Sequence, residues 1–293
     1  MNLAVLAAQV AAWAGCLTIA SHIENGLALG ALVLFFCFMM QGVFSMMHEC
    51  FHRHGHRNRT INHAMAWLAS TIFGASATLI WVNHLGHHVR NRTSAELVDY
   101  VEPGQSVAKK TAAYYFAIFG GIWLGAFIAS LALTVIPPRW TRVFMRKARD
   151  NTYAAAFADF REKDFVRIRL ETLAAVVFWG GFWLTLGWRW RDVALFYVAF
   201  ALSWSSLQWI YHVRTPLDPV EGAYNVRALL PIRWLFLNFN YNLTHHRQPE
   251  LRWQLMHRVT NLQETRPLWY NWLSILLPPR PLPPPGTLVK TYF

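Results

Sequence analysis

Long apolar runs without charge alternate along this chain with short, strongly basic segments. Residues 3–20, 26–47, 172–188 and 193–209 contain no Asp, Glu, Lys or Arg. Each comes close to or exceeds the roughly 20 residues that a helix needs to cross a hydrocarbon core, so each predicts a spanning helix. Only the polar link 21–25 separates the first two, and only 189–192 the second two, so each pair reads as an antiparallel hairpin. Residues 62–82 are less apolar and hold His63, Ser70, Thr71 and Ser76, which predicts an interfacial or re-entrant segment. Residues 111–136 carry Gly120-Gly121 near their middle, a place for a bend or a break. This segment either crosses once or turns back, and we expect the turn back, because it leaves every basic loop and every histidine cluster on one side. Residues 228–239 are too short to span and predict an amphipathic connector, and 278–285 predict an extended proline-rich tail.

Composition points the same way. Of 293 residues, 55% are hydrophobic and only 14% charged, outside the range of an ordinary soluble domain. The expected fold class is all-α integral membrane, with four or more transmembrane helices and a histidine-lined two-metal site at the cytoplasmic membrane face. It is read as one domain over 1–293: a hairpin at 1–47, two histidine clusters at 48–110, the segment 111–136, a second hairpin at 172–212, and a cytoplasmic cap and tail at 213–293. The Met1 end lacks the basic residues of a secretory signal, so the first run is expected to remain as a helix.

The net charge of +12 gathers at 53–59, 139–149, 161–169 and 247–258, beside or between the apolar runs. That placement fits the positive-inside rule and an anionic leaflet, and a nucleic-acid partner is not expected. The excess of arginine over lysine and the compact termini suggest a bacterial inner membrane. Trp81, Trp140, Trp188, Trp190, Trp209 and Tyr211 flank the runs and read as an interfacial belt. Met39, Met40, Met46 and Met47 read as core packing.

The chemistry lies in the histidines. His48 and His52 are four residues apart, hence on one helix face. His84, His87 and His88 repeat the pattern with offsets of three and four, Gln208 and His212 repeat it with four, and Asn242, His245 and His246 repeat it again. These eight imidazoles exceed the four ligands a single zinc normally takes, which points to two metals. Imidazole suits iron, copper, nickel and zinc alike, so the ligand type leaves the metal open. The other histidines, His22, His54, His56, His63 and His257, are expected to be interfacial rather than ligands.

In order, the boxes read HECFH, HLGHH and NLTHH, separated by apolar spans. They resemble those of the membrane fatty acid desaturase and hydroxylase superfamily, which also includes carotenoid ketolases and alkane hydroxylases. Asn62 after the first box, Asp99 after the second, and His245-His246-Arg247-Gln248-Pro249 followed by Trp253 extend the similarity over about residues 30–253. The resemblance implies two irons held by His48, His52, His84, His87, His88, His212, His245 and His246, with O2 as co-substrate. It also implies oxidation of a C–H bond in a lipid-like substrate from the bilayer, with fatty acyl desaturation expected first and hydroxylation or ketone formation as the alternative. A metal- or haem-binding membrane protein without turnover is the remote alternative. Asn242 departs from the family, where histidine is common, and it and Gln208 are possible direct or water-bridged ligands. Ligating histidines normally donate their second ring N–H to a carboxylate or carbonyl, and Glu49 and Asp99 are the expected carboxylates. For Glu49 an ion pair with Arg53 is the alternative. The three cysteines form no CxxC pair, and there is no HPGG haem motif. Electrons are therefore expected from a separate ferredoxin, rubredoxin or cytochrome with its reductase.

Overall fold

A computed structural model describes residues 1–137, 139–141, 143 and 159–284. Most of the basic stretch 139–149 and the last residue of the tail 278–285 lie outside the described residues. Helices α1 (Asn2–Ala20) and α2 (Gly26–Phe51) form the first hairpin, and the Asn25 side chain caps α2 by accepting from the N–H groups of Leu27 and Ala28. Helices α3 (Arg59–Phe73) and α4 (Ala77–Arg90) follow and meet at 99°. Gly74 makes that bend possible, since its φ of 95° lies in the left-handed region. Next come α5 (Val107–Phe116), α6 (Ile122–Val135), α7 (Glu162–Leu186) and α8 (Trp190–Ile210). The remainder is a cap of short helices, α9 (Leu230–Leu235), α10 (Asn242–Arg247), α11 (Trp253–Val259) and α12 (Leu268–Ser274). Two small parallel strand pairs tie it down: β1 (Tyr100–Val101) with β4 (Arg280–Pro281), and β2 (Asn225–Arg227) with β3 (Thr265–Pro267). The proline-rich tail is thus extended, but it is fastened beside Asp99 through the Arg280 N–H.

Among the described residues, four helices are long and apolar enough to cross a membrane: Asn2–Ala20, Gly26–Phe51, Val107–Val135 and Trp190–Ile210. Two differences from the expected spans have physical causes. The run 172–188 belongs to α7, and Glu162, Lys163, Asp164, Arg167, Arg169 and Glu171 make the first ten residues of that helix polar. Its ends nevertheless lie on opposite faces. Asp159, just before it, pairs with Arg90 near the histidines. Beyond its other end, Trp188 donates to Thr18 and Arg189 to the Ala20 carbonyl at the α1–α2 link. The segment Val107–Val135 is long enough to cross, but it breaks at Phe119 (ψ 49°) and Gly120 (φ 109°). Lys110 of α5 donates to the Leu97 carbonyl, and at the far end the Leu133 and Ile136 carbonyls accept from Arg169 in the polar part of α7. Polar contacts thus hold the segment at both ends, on either side of its break.

The α3–α4 bend ends one helix and starts another in the buried interior of the bundle, where backbone groups shielded from water need a protein partner. The carbonyls of Thr71, Ile72 and Phe73 accept from the Trp179 indole, the Tyr197 hydroxyl and the Trp123 indole, one donor each from α7, α8 and α6. On the other side of the bend, the buried Glu171 carboxylate accepts from the Ser76 hydroxyl at 2.6 Å, the Thr78 N–H at 2.8 Å and the Thr78 hydroxyl at 2.7 Å. The Ser130 hydroxyl accepts from the Ser76 N–H. A negative charge at a helix N-terminus is favourable in itself, and here the carboxylate also caps α4.

Aromatic packing surrounds this bend. Trp13 meets Phe178, Trp179, Phe182 and Trp188 with ring centroids 5.0–5.9 Å apart, and Phe73 packs on Phe44, Phe200 and Trp204. Trp140 and Trp190 are exposed, as a belt requires, whereas Trp188, Trp209 and Tyr211 are buried. Their large rings fill the bundle interior. Leu27, Leu34, Val177 and Leu184 face outward, as lipid contact requires.

Glu171→Ala strands three donors at the start of α4, each costing about 1–3 kcal/mol when left unpaired in an apolar site. Thermal melts in detergent should show a large drop for Glu171→Ala and a smaller one for Trp179→Phe, which frees only the Thr71 carbonyl.

Candidate metal centre

Helix geometry sorts the histidines before any metal is invoked. At about 100° per residue, positions four apart share a face while adjacent positions diverge. His48 lies in the last turn of α2 and His52 caps that helix, one turn on. His84 and His88 share one face of α4, and His87 points aside. On α10, His245 and His246 likewise diverge. Each His-His pair therefore sends one ring to each of two places. The first group contains His48, His52, His84, His88 and His245, and the second His87, His212 and His246. Within each group the ligand atoms lie within 4.8 Å of one another, and each group is fit to hold a metal ion. The two groups adjoin, since the His88 and His246 rings are 4.8 Å apart.

In the first group all the close approaches run through Nε2. His48 and His245 are 3.0 Å apart, His245 and His88 3.0 Å, His88 and His84 3.1 Å, and His84 and His52 2.8 Å. A ring nitrogen carries one N–H or one lone pair, so hydrogen bonding cannot serve His84, His88 and His245 toward two neighbours each. One cation shared by all the lone pairs can. Two nitrogens at about 2.1 Å from a metal are about 3.0 Å apart at a right angle and about 3.4 Å apart at the tetrahedral angle. The observed spacings of 2.8–3.1 Å are short enough for one cation to be shared.

In the second group the tautomers follow from the partners. His212 Nδ1 lies 2.9 Å from the Gly222 carbonyl, His246 Nδ1 3.1 Å from the Pro219 carbonyl, and His87 Nδ1 2.7 Å from Glu96. A carbonyl or ionised carboxylate only accepts, so each Nδ1 donates and each Nε2 presents a lone pair. Asn91 donates to both Pro219 and Gly222, which holds that loop in place. Asn242, one turn before His246, has a buried side-chain oxygen without a partner, as an oxygen reserved for a cation or water would be. The three histidines thus suit a second metal.

His48, His212, His245 and His246 are buried, and the other four rings are partly buried. Burial first, then His54, holds His52 down to about 4. Burial, followed by neighbouring imidazoles, holds His245, His246 and His212 well below the ordinary histidine value. Neutral imidazoles keep their lone pairs for a metal at physiological pH.

Glu49 and Asp99, the expected carboxylate partners, bond to none of the eight rings. Glu49 lies 3.8 Å from His54, and one of its oxygens has no partner. Asp99 binds buried Arg92 at 2.6 Å and accepts from the Arg214 N–H at 2.7 Å, so it anchors the chain just past His212. The carboxylate that touches a ring is Glu96, which sequence reading missed. It lies nine residues after His87, in the 3-10 turn Ser94–Glu96, where no helical spacing rule applies. Gln208 donates to Gln41 at 3.3 Å and joins neither group. His22, His54, His56, His63 and His257 also lie outside both. Gly86 in the second box has a steric role, because a methyl group there would meet the Arg90 guanidinium and Asp159.

Asp99→Asn breaks a fully buried ion pair and should cost about 3–5 kcal/mol, measured by denaturation in detergent, together with loss of metal from the second group. For protein stripped by a chelator, the folded chain resists protonation of His52 below its ordinary 6.5 while the unfolded chain accepts it. Stability should be unchanged above about pH 6.5 and should fall as the pH drops from there toward 4, as a melting series will read.

No curated protein matches this chain. A family model described as fatty acid desaturase matches residues 25–274, which takes in α2 through α12 and all eight clustered histidines. With that match over most of its length, and with its apolar helices ending at paired histidine clusters, the chain belongs to the fatty acid desaturase family, within the membrane desaturase and hydroxylase superfamily.

Proposed function

We propose that the protein is an O2-dependent di-iron enzyme that oxidises a C–H bond of a lipid-like substrate, with fatty acyl desaturation as its reaction. The observation that carries this reading is the convergence of eight imidazoles into two adjoining groups beside apolar helices. His48, His52, His84, His88 and His245 would hold one iron, and His87, His212 and His246 with Asn242 the other. Bound iron supplies the oxidant able to remove hydrogen from an unactivated methylene.

The chain's own residues have three tasks. The eight rings would hold the metals, and Phe239, packed on His48 at 5.0 Å and on Tyr211 at 5.5 Å, makes the wall next to the first group aromatic, which would help exclude water. The helices supply apolar surface for the substrate. An apolar recess of about 390 Å3 lies among them, lined by Trp123, Phe127, Trp179, Trp183 and Tyr197. The third task is to receive electrons. Forming one double bond from two methylenes uses one O2, two electrons and two protons and releases two waters. A separate ferredoxin, rubredoxin or cytochrome with its reductase would deliver the electrons. Arg53, Arg57 and Arg59 suit an acidic donor. With the basic segments inward, the centre faces the cytoplasm of a bacterial inner membrane.

Purified protein should contain close to two irons per chain, and His87→Ala about one. Lipids from a host expressing the chain should contain a double bond that is missing from a host expressing His245→Ala. A new hydroxyl or keto group would assign hydroxylation or ketone formation instead, and an unchanged lipid profile would reject the oxidase reading.

A further inference from the structure

Among the described residues, only one charged side chain touches the rings of either group, and it makes the two groups unlike each other. Glu96 places one oxygen 2.7 Å from His87 Nδ1 and the other 3.1 Å from Arg90 Nε. Arg90 is 1% exposed and is held from a second direction by Asp159. The carboxylate therefore has both oxygens committed and cannot swing away from the ring. His212 and His246, the other two rings of this group, lean on neutral carbonyls, and no carboxylate contacts the five-histidine group among the described residues.

We propose that Glu96 is the positioning residue of the three-histidine group, and that Arg90 orients it. Its acceptor-only oxygen fixes the proton of His87 on Nδ1, aims the Nε2 lone pair at the metal position and makes the ring a stronger donor. The group that is short of histidines is thereby the one given a carboxylate. Loss of Glu96 should weaken this group alone, because the five-histidine group shares no hydrogen bond with it. The inference rests on the two-metal reading above.

The test is a Co2+ titration of the chelator-stripped full-length protein in detergent, followed by visible absorption, for the wild type, Glu96→Gln, Glu96→Asp and His87→Ala. The wild type should take up two equivalents. In Glu96→Gln, which is nearly isosteric, the first equivalent should bind as before and the second about 10–100-fold more weakly, the usual effect of removing such a partner. Glu96→Asp should recover part of that loss, and His87→Ala should abolish the second equivalent. Equal weakening of both equivalents in Glu96→Gln would assign Glu96 a merely structural role, and no change in either would also overturn the proposal. A wild type that takes up fewer than two equivalents would instead reject the two-metal reading.

Discussion

A backbone that turns in a buried interior has no water to satisfy it, and the α3–α4 bend meets that constraint with side chains from three other helices. Trp179, Tyr197 and Trp123 donate to successive carbonyls at the end of α3, while Glu171 and Ser130 accept from the start of α4. The bend fixes the direction of α4, and α4 carries three of the eight clustered histidines. A buried carboxylate on α7 and three aromatic donors thus control the aim of rings more than a helical turn away.

The same economy appears at the centre itself. The 100° step between adjacent helical positions divides His87 from His88 and His245 from His246, so two short helices serve two metal positions at once. The Asp218–Gly222 loop then orients His212 and His246 through carbonyls, and Asp99 anchors the chain that follows His212. In the three-histidine group the Nδ1 partners leave each Nε2 lone pair free for a metal.

Much of this was legible in the residues. The four-residue offset of His48 and His52, and the HxxHH pattern of His84, His87 and His88, follow directly from helical periodicity. The uncharged runs likewise mark the hairpins. The break near Gly120-Gly121 could be located from sequence, but the path beyond it is set by the contacts of Arg169 with Leu133 and Ile136, which no local pattern encodes. Glu96 escaped notice for a similar reason: its ring partner lies across a helix end, where spacing carries no directional meaning. Trp188, Trp209 and Tyr211 sit at the ends of apolar runs, as belt residues do, yet they pack inward. Position along a span does not determine which way an aromatic ring faces.

Mössbauer spectroscopy of the iron-loaded, full-length protein tests the two-group assembly most directly. Five histidines in one group and three with an amide oxygen in the other should give two signals of equal area and different quadrupole splitting. A single signal from one isolated iron, or a spectrum without nitrogen-ligated iron, would contradict the assembly of eight imidazoles into paired metal positions.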